Sequence, residues 1–331
     1  MSVKVSVIVP IYQAENFIKD CIESIIKQVN VDIECILIND YTLDSSIEIA
    51  KYVIENTTHT IDFKIFHNEK NLGLSLSRNK GLELATGDYI FFLDSDDYLF
   101  PNSIYELVKV VYANPCVDMV VGDLSTDLIS GDKSLNISRK NIPSFSNSKE
   151  WIHKNFLINT PVIACNKLIK REFIITNNLF FEKGIIHEDV VWHFMIAKYI
   201  RSIAFCFKKT YFNRNNLSSI SNSEKREKER LDSNIKLVNI CINNISLNRR
   251  YIESLYIIKY LKTIKDKNFN YSNLSYFKKS FKTIINSFKS SKKVPKIFKP
   301  MIYMLENYSN SASFGFFWNK GLGVIFRIIK Y

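Results

Sequence analysis

The sequence predicts an α/β fold: a mostly parallel sheet flanked by helices, followed by a basic, mainly helical C-terminal extension. Three observations carry this expectation. Strand-like and helix-like stretches alternate in short steps from the N-terminus, the pattern of a parallel sheet covered on both faces. The most apolar run, Tyr89-Ile90-Phe91-Phe92-Leu93, stops abruptly at Asp94-Ser95-Asp96-Asp97. Charge is also unevenly divided: Ser221 to Tyr331 holds 22 Lys and Arg against 7 Asp and Glu, and the first 220 residues hold 23 against 26. The chain is therefore read as a near-neutral domain over 1–220, with halves 1–115 and 116–220, and a basic helical region over 221–331.

Val3 to Pro10 alternates and then turns apolar, as a buried first strand should, and Pro10 is expected to stop it. Apolar residues at Phe17, Ile18, Cys21, Ile22, Ile25 and Ile26 have helical spacing. Asp32 to Asn39 reads as a second strand leading directly into Asp40. A helix capped by Asp44 or Ser45 follows, to about Glu55. Phe63 to Phe66 is a short third strand. Asn71-Leu72-Gly73 turns into a helix over Leu74 to Ala85, and Gly87 opens the strand that ends at Leu93. A helix over Asn102 to Ala113 and a strand over Met119 to Gly122 come next. The polar stretch Leu124 to Ser148 reads as a long mobile loop. Trp151 to Leu157 is a helix, Thr160 to Lys170 an apolar turn, and His187-Glu188-Asp189 heads a helix to about Ile200. Ser202 to Asn213 supplies one or two more strands.

The bulk composition narrows the function classes. A 331-residue chain that is 46% hydrophobic and 13% aromatic has ample material for a core. No apolar segment reaches the roughly 18–20 residues of a membrane span, and no signal-peptide pattern opens the chain. The six cysteines show no CxxC spacing, which favours reduced thiols and a cytoplasmic location over a zinc site or a disulfide framework. His187 and His193 are too far apart for a helical zinc pair, so His193 is read as a helix-face histidine and Trp192 as core.

Acidic groups recur where such a sheet gathers its ligands, at the C-terminal ends of strands. They are Asp40, the Asp94 to Asp97 cluster, and Glu188-Asp189. Several carboxylates cannot be buried uncompensated, so a cation is expected among them. Hard oxygen donors suit Mg²⁺ or Mn²⁺, and Mg²⁺ typically takes one or two carboxylates together with phosphate oxygens.

Taken in order, Val7-Ile8-Val9-Pro10-Ile11-Tyr12, Asn39-Asp40, Asn71-Leu72-Gly73, Ser77-Arg78-Asn79-Lys80-Gly81, Leu93-Asp94-Ser95-Asp96-Asp97 and His187-Glu188-Asp189 resemble the family 2 glycosyltransferases of the GT-A (Rossmann-like) fold. The likeness covers roughly residues 3–220. It implies an inverting, metal-dependent enzyme that moves a sugar from a UDP-sugar to a hydroxyl of a growing glycan, as in bacterial surface-polysaccharide assembly; a lipid-linked acceptor at the membrane's inner face would suit the basic tail. Carried over position by position, it implies that Pro10, Tyr12 and Glu15 line the nucleoside pocket, that Asp40 accepts from the uracil, and that Arg78 lies by the diphosphate. It further implies that Asp94 leans toward the ribose and sugar, that Asp96 holds the Mn²⁺ or Mg²⁺, that Asp189 is the base supported by Glu188, and that Arg214, with Asn216 beside it, closes over the diphosphate. Asn166-Lys167-Leu168 resembles a stretch beside the acceptor. One departure stands out: where the family commonly has two acids followed by Gly and Ser, this chain has Asn39-Asp40-Tyr41-Thr42.

Two other readings weigh less. A sugar nucleotidyltransferase would carry a Gly-rich, basic loop after the first strand, and Ile11-Tyr12-Gln13-Ala14-Glu15 has no Gly, Lys or Arg. A nucleic-acid binder would surround its sheet edge with basic residues, yet that half of the chain is net acidic. The lysines and aromatics of 262–299, with the apolar ends Phe314 to Trp318 and Val324 to Tyr331, suit either a solvated helical face or peripheral binding to an anionic membrane.

Overall fold

The computed structural model describes residues 2–126, 142–216 and 227–246, with 253 and 256. The basic tail over 262–299 and the apolar terminus lie outside the described residues. The chain forms two compact units, one made of 1–184 and 188–222, the other of 185–187 and 223–331.

The first unit is built on β1 (Lys4–Ile11), α1 (Ile18–Ile26), β2 (Asp32–Asn39), α2 (Ser46–Glu55), β3 (Asp62–His67), α3 (Leu74–Leu84) and β4 (Tyr89–Phe92). It continues with β5 (Tyr98–Leu99), α4 (Ser103–Ala113), β6 (Met119–Thr126), β7 (Phe145–Ser146), α5 (Lys149–Asn159), β8 (Lys167–Lys170), α6 (Arg171–Thr176), α7 (Glu188–Tyr199) and β9 (Ile203–Asn213). The strands form one sheet in the order β3-β2-β1-β4-β8-β6-β9-β5, with β7 on β9. Pairing is parallel from β3 through β4 and again between β6 and β9. It is antiparallel where β8 enters between β4 and β6, and where β5 and β7 meet β9.

The parallel half follows from the sequence pattern. Val5, Val7, Ile8, Val9, Ile36, Leu37, Ile90 and Phe91 are buried without exposure, as strands covered on both faces require. Right-handed crossovers place α1 and α2 on one face. After β3 the chain reverses to lay β4 against the free side of β1, so α3 covers the opposite face. Its close seat is set by Gly81: a Cβ there would come within 2.3 Å of the Ile8 side chain. The reversal between β1 and β4 opens the crevice in which such sheets bind ligands.

Several expectations shift. Pro10 does not stop β1, which runs on to Ile11 with Pro10 opposite Ile38, a position that can lack an N–H donor. The apolar turn over 160–170 contains β8, and α6 follows it directly. The stretch expected to begin a loop at Leu124 is strand to Thr126, and Phe145-Ser146 is strand as well; 127–141 lie outside the described residues. His193 is buried, stacked on Phe156 at 4.5 Å, with its Nε2 3.2 Å from Thr160 Oγ1. All described cysteines are free thiols, Cys116 exposed and the others buried.

In the second unit α8 (Glu227–Asn243) buries Leu237, Val238, Cys241 and Ile242. Ser233 Oγ donates to the Ile186 carbonyl at 2.9 Å, and Glu253 accepts from the Ser246 N–H at 2.6 Å.

Candidate active site

Arg78 is the hub on which the acidic motifs converge. It projects from α3 with 1% of its side chain exposed. Its Nη1 donates to Glu188 at 2.6 Å and to Asp189 at 2.8 Å, and its Nη2 donates to Asp94 at 2.8 Å. Its Cζ lies 5.8 Å from the Phe92 ring centroid and 5.2 Å from that of Phe181. Phe181 in turn stacks on Trp192 at 4.4 Å. One end of the guanidinium thus meets carboxylates and its faces meet aromatic rings, an arrangement that a planar, delocalised cation suits better than an ammonium. Its Nε has no hydrogen-bond partner among the described residues. The resemblance placed Arg78 beside the diphosphate; in this structure its hydrogen bonds go to acids inside the domain.

One cation facing three acids favours retention of a proton, and burial decides where. Burial pushes Glu188 up to about 7, the charge of Asp189 adds to it, and Arg78 pulls the other way. Asp189 is held at both oxygens: Oδ1 by Arg78 and Oδ2 by the Ala164 N–H at 3.1 Å. The 160–165 loop that presents this N–H is braced by the fully buried Lys167, whose ammonium donates to the Ile163 carbonyl and whose pKa burial lowers to about 8. Glu188 and Asp189 also occupy the first turn of α7, where the helix dipole favours negative charge.

The strand-end acids divide their work. Asp97 is buried and accepts from the Tyr211 hydroxyl at 2.6 Å, the Asn213 amide at 3.1 Å and the Arg214 N–H at 2.8 Å. Burial pushes its carboxyl up to about 8, Asp94 and Asp96 add to this, and the hydrogen bonds from Tyr211 and Arg214 oppose it. Asp97 therefore ties the end of β9 to the acidic turn. Asp96 is also shifted upward, by burial first and then by Asp94, and one of its oxygens accepts from the Asn216 amide at 3.0 Å.

A divalent cation fits this donor set. Asp96 is a desolvated carboxylate beside two others, and its Oδ2 accepts from a neutral amide. No group of three His, Cys, Asp or Glu among the described residues is arranged to enclose an ion. The protein would then supply one or two oxygens and leave the remaining positions to phosphate and water, as Mg²⁺ prefers.

Asp40 is buried at the end of β2. Its carboxylate accepts from Asn68 Nδ2, the Leu72 N–H and the Gly73 N–H, all at 2.8 Å. It thereby fixes the turn into α3, the helix that carries Arg78, and Gly73 takes φ +86° there. Tyr41, where the family commonly has Gly, adopts φ +59°. Pro10 is buried and Tyr12 exposed. The loop after β1 leans on the loop after β2: the Gln13 N–H donates to Thr42 Oγ1 at 2.8 Å, and Glu15 accepts from the Ser45 N–H at 3.2 Å. Arg214, expected over the diphosphate, here pairs with Asp20 at 2.9 Å.

Sequence reasoning gave no role to Asp97, Tyr211, Asn213 or the Ala164 N–H. Asp97 was visible as part of the acidic run. Tyr211 and Asn213 lie in the stretch Tyr211 to Ser221 that carries Arg214 and resembles a family segment, while the Ala164 N–H has no local signal; only the crossing of β9 and the 160–165 loop brings all three to the site.

An α/β sheet that gathers acids from distant motifs over a buried arginine, at the crevice beside its first strand, is the arrangement that the resemblance to GT-A glycosyltransferases implies. The sequence profile described as "Glycosyl transferase family 2" matches residues 6–176, and the chain belongs to that family. An uncharacterized glycosyltransferase, YibD, of Escherichia coli K12 is 30% identical over 77% of this chain and 74% of its own length. The putative glycosyltransferase EpsH of Bacillus subtilis is 29% identical over 70% of this chain and 66% of its own. The crystal structure of S. aureus TarS 1–349 with UDP-GlcNAc superposes with a TM-score of 0.71 at 16% identity, covering 92% of this chain and 87% of that one. At that identity the likeness establishes the fold.

Proposed function

We propose that this family 2 glycosyltransferase moves a sugar from a UDP-sugar to a hydroxyl of a growing, lipid-linked glycan, with inversion at the anomeric carbon. The observation that carries the reading is the single guanidinium of Arg78 bonded at once to Asp94, Glu188 and Asp189. In this reading it ties Asp94, on the donor side, to Asp189, the proton acceptor.

In this reading the acceptor oxygen attacks C1 as the bond from C1 to the diphosphate oxygen breaks, and the hydroxyl proton passes to Asp189. A single carboxylate base with in-line attack inverts the centre. Arg78 and the Ala164 N–H fix the direction of Asp189, and Glu188 sets the charge around it. Asp94 faces the ribose and sugar, while Pro10, Tyr12, Glu15 and Asp40 form the nucleoside end of the cleft. Asp96 would hold Mn²⁺ or Mg²⁺, which when bound supplies charge compensation at the departing diphosphate. The TarS neighbour was solved with UDP-GlcNAc, and a mannosyltransferase from Pyrobaculum calidifontis, TM-score 0.55, with GDP-Man and Mn²⁺. Both support a nucleotide-sugar donor.

A place at the inner face of the cell membrane, in capsule, exopolysaccharide or lipopolysaccharide synthesis, suits the basic tail. No described helix is long and apolar enough to cross a bilayer. Flotation with anionic vesicles, with and without residues 290–331, tests that location; equal recovery in the lipid fraction removes it.

The assay for the reaction is UDP release from candidate UDP-sugars in Mn²⁺. Asp96→Ala should lose turnover together with Mn²⁺-dependent UDP binding. Asp189→Asn should lose turnover by roughly 10²- to 10⁴-fold and still bind UDP. Retained turnover in both variants removes the site assignment.

A further inference from the structure

The segment that follows β9 is held from two directions. Its backbone is pinned to the acidic turn: the Arg214 N–H and the Asn213 amide both donate to Asp97, and the Asn216 amide donates to Asp96. The Arg214 side chain bonds a different acid. Its Nη2 donates to Asp20 on α1 at 2.9 Å, and its Cζ lies 5.3 Å from the Phe17 ring centroid and 5.4 Å from that of Tyr98. This pair forms part of the wall of a cavity of about 540 Å³, lined also by Glu23, Lys27, Tyr98 and Phe212. A second ion pair, Lys27 with Glu23 at 3.3 Å, lies on the same wall. Each cation of the cavity is matched by an acid.

We infer that Asp20 sets the enzyme's affinity for the donor diphosphate by competing with it for the Arg214 guanidinium. The inference rests on the proposed UDP-sugar donor and adds to it a residue on α1, outside the motifs that bind the donor. Only the side chain of Arg214 is committed to Asp20, and its backbone is already fixed within the acidic turn. The Arg214 charge already bears on Asp96, so the competition asks only for rotation about the Arg214 side-chain bonds. Asp20 keeps 56% of its side chain exposed against 20% for Arg214, so the carboxylate half of the pair is largely wet and screened. A diphosphate offers the same fork two anionic groups and displaces one exposed carboxylate. Without nucleotide, Asp20 and the two rings keep the guanidinium ordered and electrically matched.

The test is calorimetric titration of the full chain with UDP, and separately with UMP, in the presence of Mn²⁺. Asp20→Asn keeps the shape of an exposed side chain, and a thermal melt verifies its folding. It should tighten UDP binding about two- to five-fold, the range an exposed ion pair can return. The gain should vanish in an Arg214→Ala background and be smaller for UMP, which lacks the second phosphate. Arg214→Ala alone should weaken UDP binding about ten-fold or more. If Arg214→Ala weakens binding while Asp20→Asn leaves it unchanged or weaker, the competition is refuted and the donor reading stands. If the wild-type protein binds no UDP, the donor reading fails and this inference falls with it.

Discussion

Arg78 stands between Asp94 and Asp189, with a guanidinium nitrogen 2.8 Å from an oxygen of each acid. Asp94 lies just beyond the strand that pairs with β1, and Asp189 sits in the first turn of a helix more than a hundred residues beyond Arg78. The distance between Asp94 and Asp189 is thus set through one buried cation.

Replacing Arg78 should therefore damage stability and chemistry together. Arg78→Ala leaves three acids in a desolvated cluster and should cost about 3–5 kcal/mol, read by urea unfolding. Arg78→Lys keeps a charge without the fork, so it should recover part of the stability while UDP release stays low. Full activity in Arg78→Lys would show that the fork geometry is dispensable.

Glu188 gives the site a pH dependence. Its carboxyl is raised to about 7 by burial and by Asp189, against the pull of Arg78. A raised acid binds its proton more tightly folded than unfolded, so its stabilising contribution is complete below about pH 4.3 and is lost as pH rises toward 7. Glu188→Gln should accordingly gain stability relative to wild type between pH 5 and pH 8. Urea midpoints at the two pH values measure the difference, and a constant gap would contradict the raised pKa.

Glu34 has the opposite sign, at the other end of the sheet. Burial opposes its ionisation, but hydrogen bonds from the Ser6 hydroxyl, the Thr86 N–H, Lys64 and the Thr86 hydroxyl outweigh burial and hold it well below the usual carboxylate range. Its contribution is present above about pH 4.3 and is lost as pH falls through the depressed folded value. Glu34→Gln should be about 3 kcal/mol less stable than wild type at pH 7, and the gap should narrow in acid.

Tyr41 sits at φ +59° with about half its side chain exposed. A left-handed conformation costs a non-glycine residue roughly 1–2 kcal/mol. Glycine, common in the family at this position, relieves that strain and gives some of it back as unfolded-chain entropy. Tyr41→Gly should raise stability by about 1 kcal/mol, measured by thermal melting with UDP absent.

Much of the fold could be read from local pattern. Runs such as Val7-Ile8-Val9 and Ile36-Leu37-Ile38 have to be strands buried on both sides, and the short steps between them force helical crossovers, so the parallel half of the sheet follows from periodicity. The motifs around Asp40, Arg78, Asp94 and Asp189 identified the family, since their types and order survive in the one-dimensional string. What tertiary structure decided is which of these groups touch. Arg78 bonds acids 16, 110 and 111 positions away, β8 enters antiparallel from a stretch read as a turn, and Asp97 rather than Asp96 anchors the end of β9. Periodicity describes neighbours within a few residues along the chain. A buried ion pair is selected instead by the low dielectric and close packing that exist only once distant segments have come together.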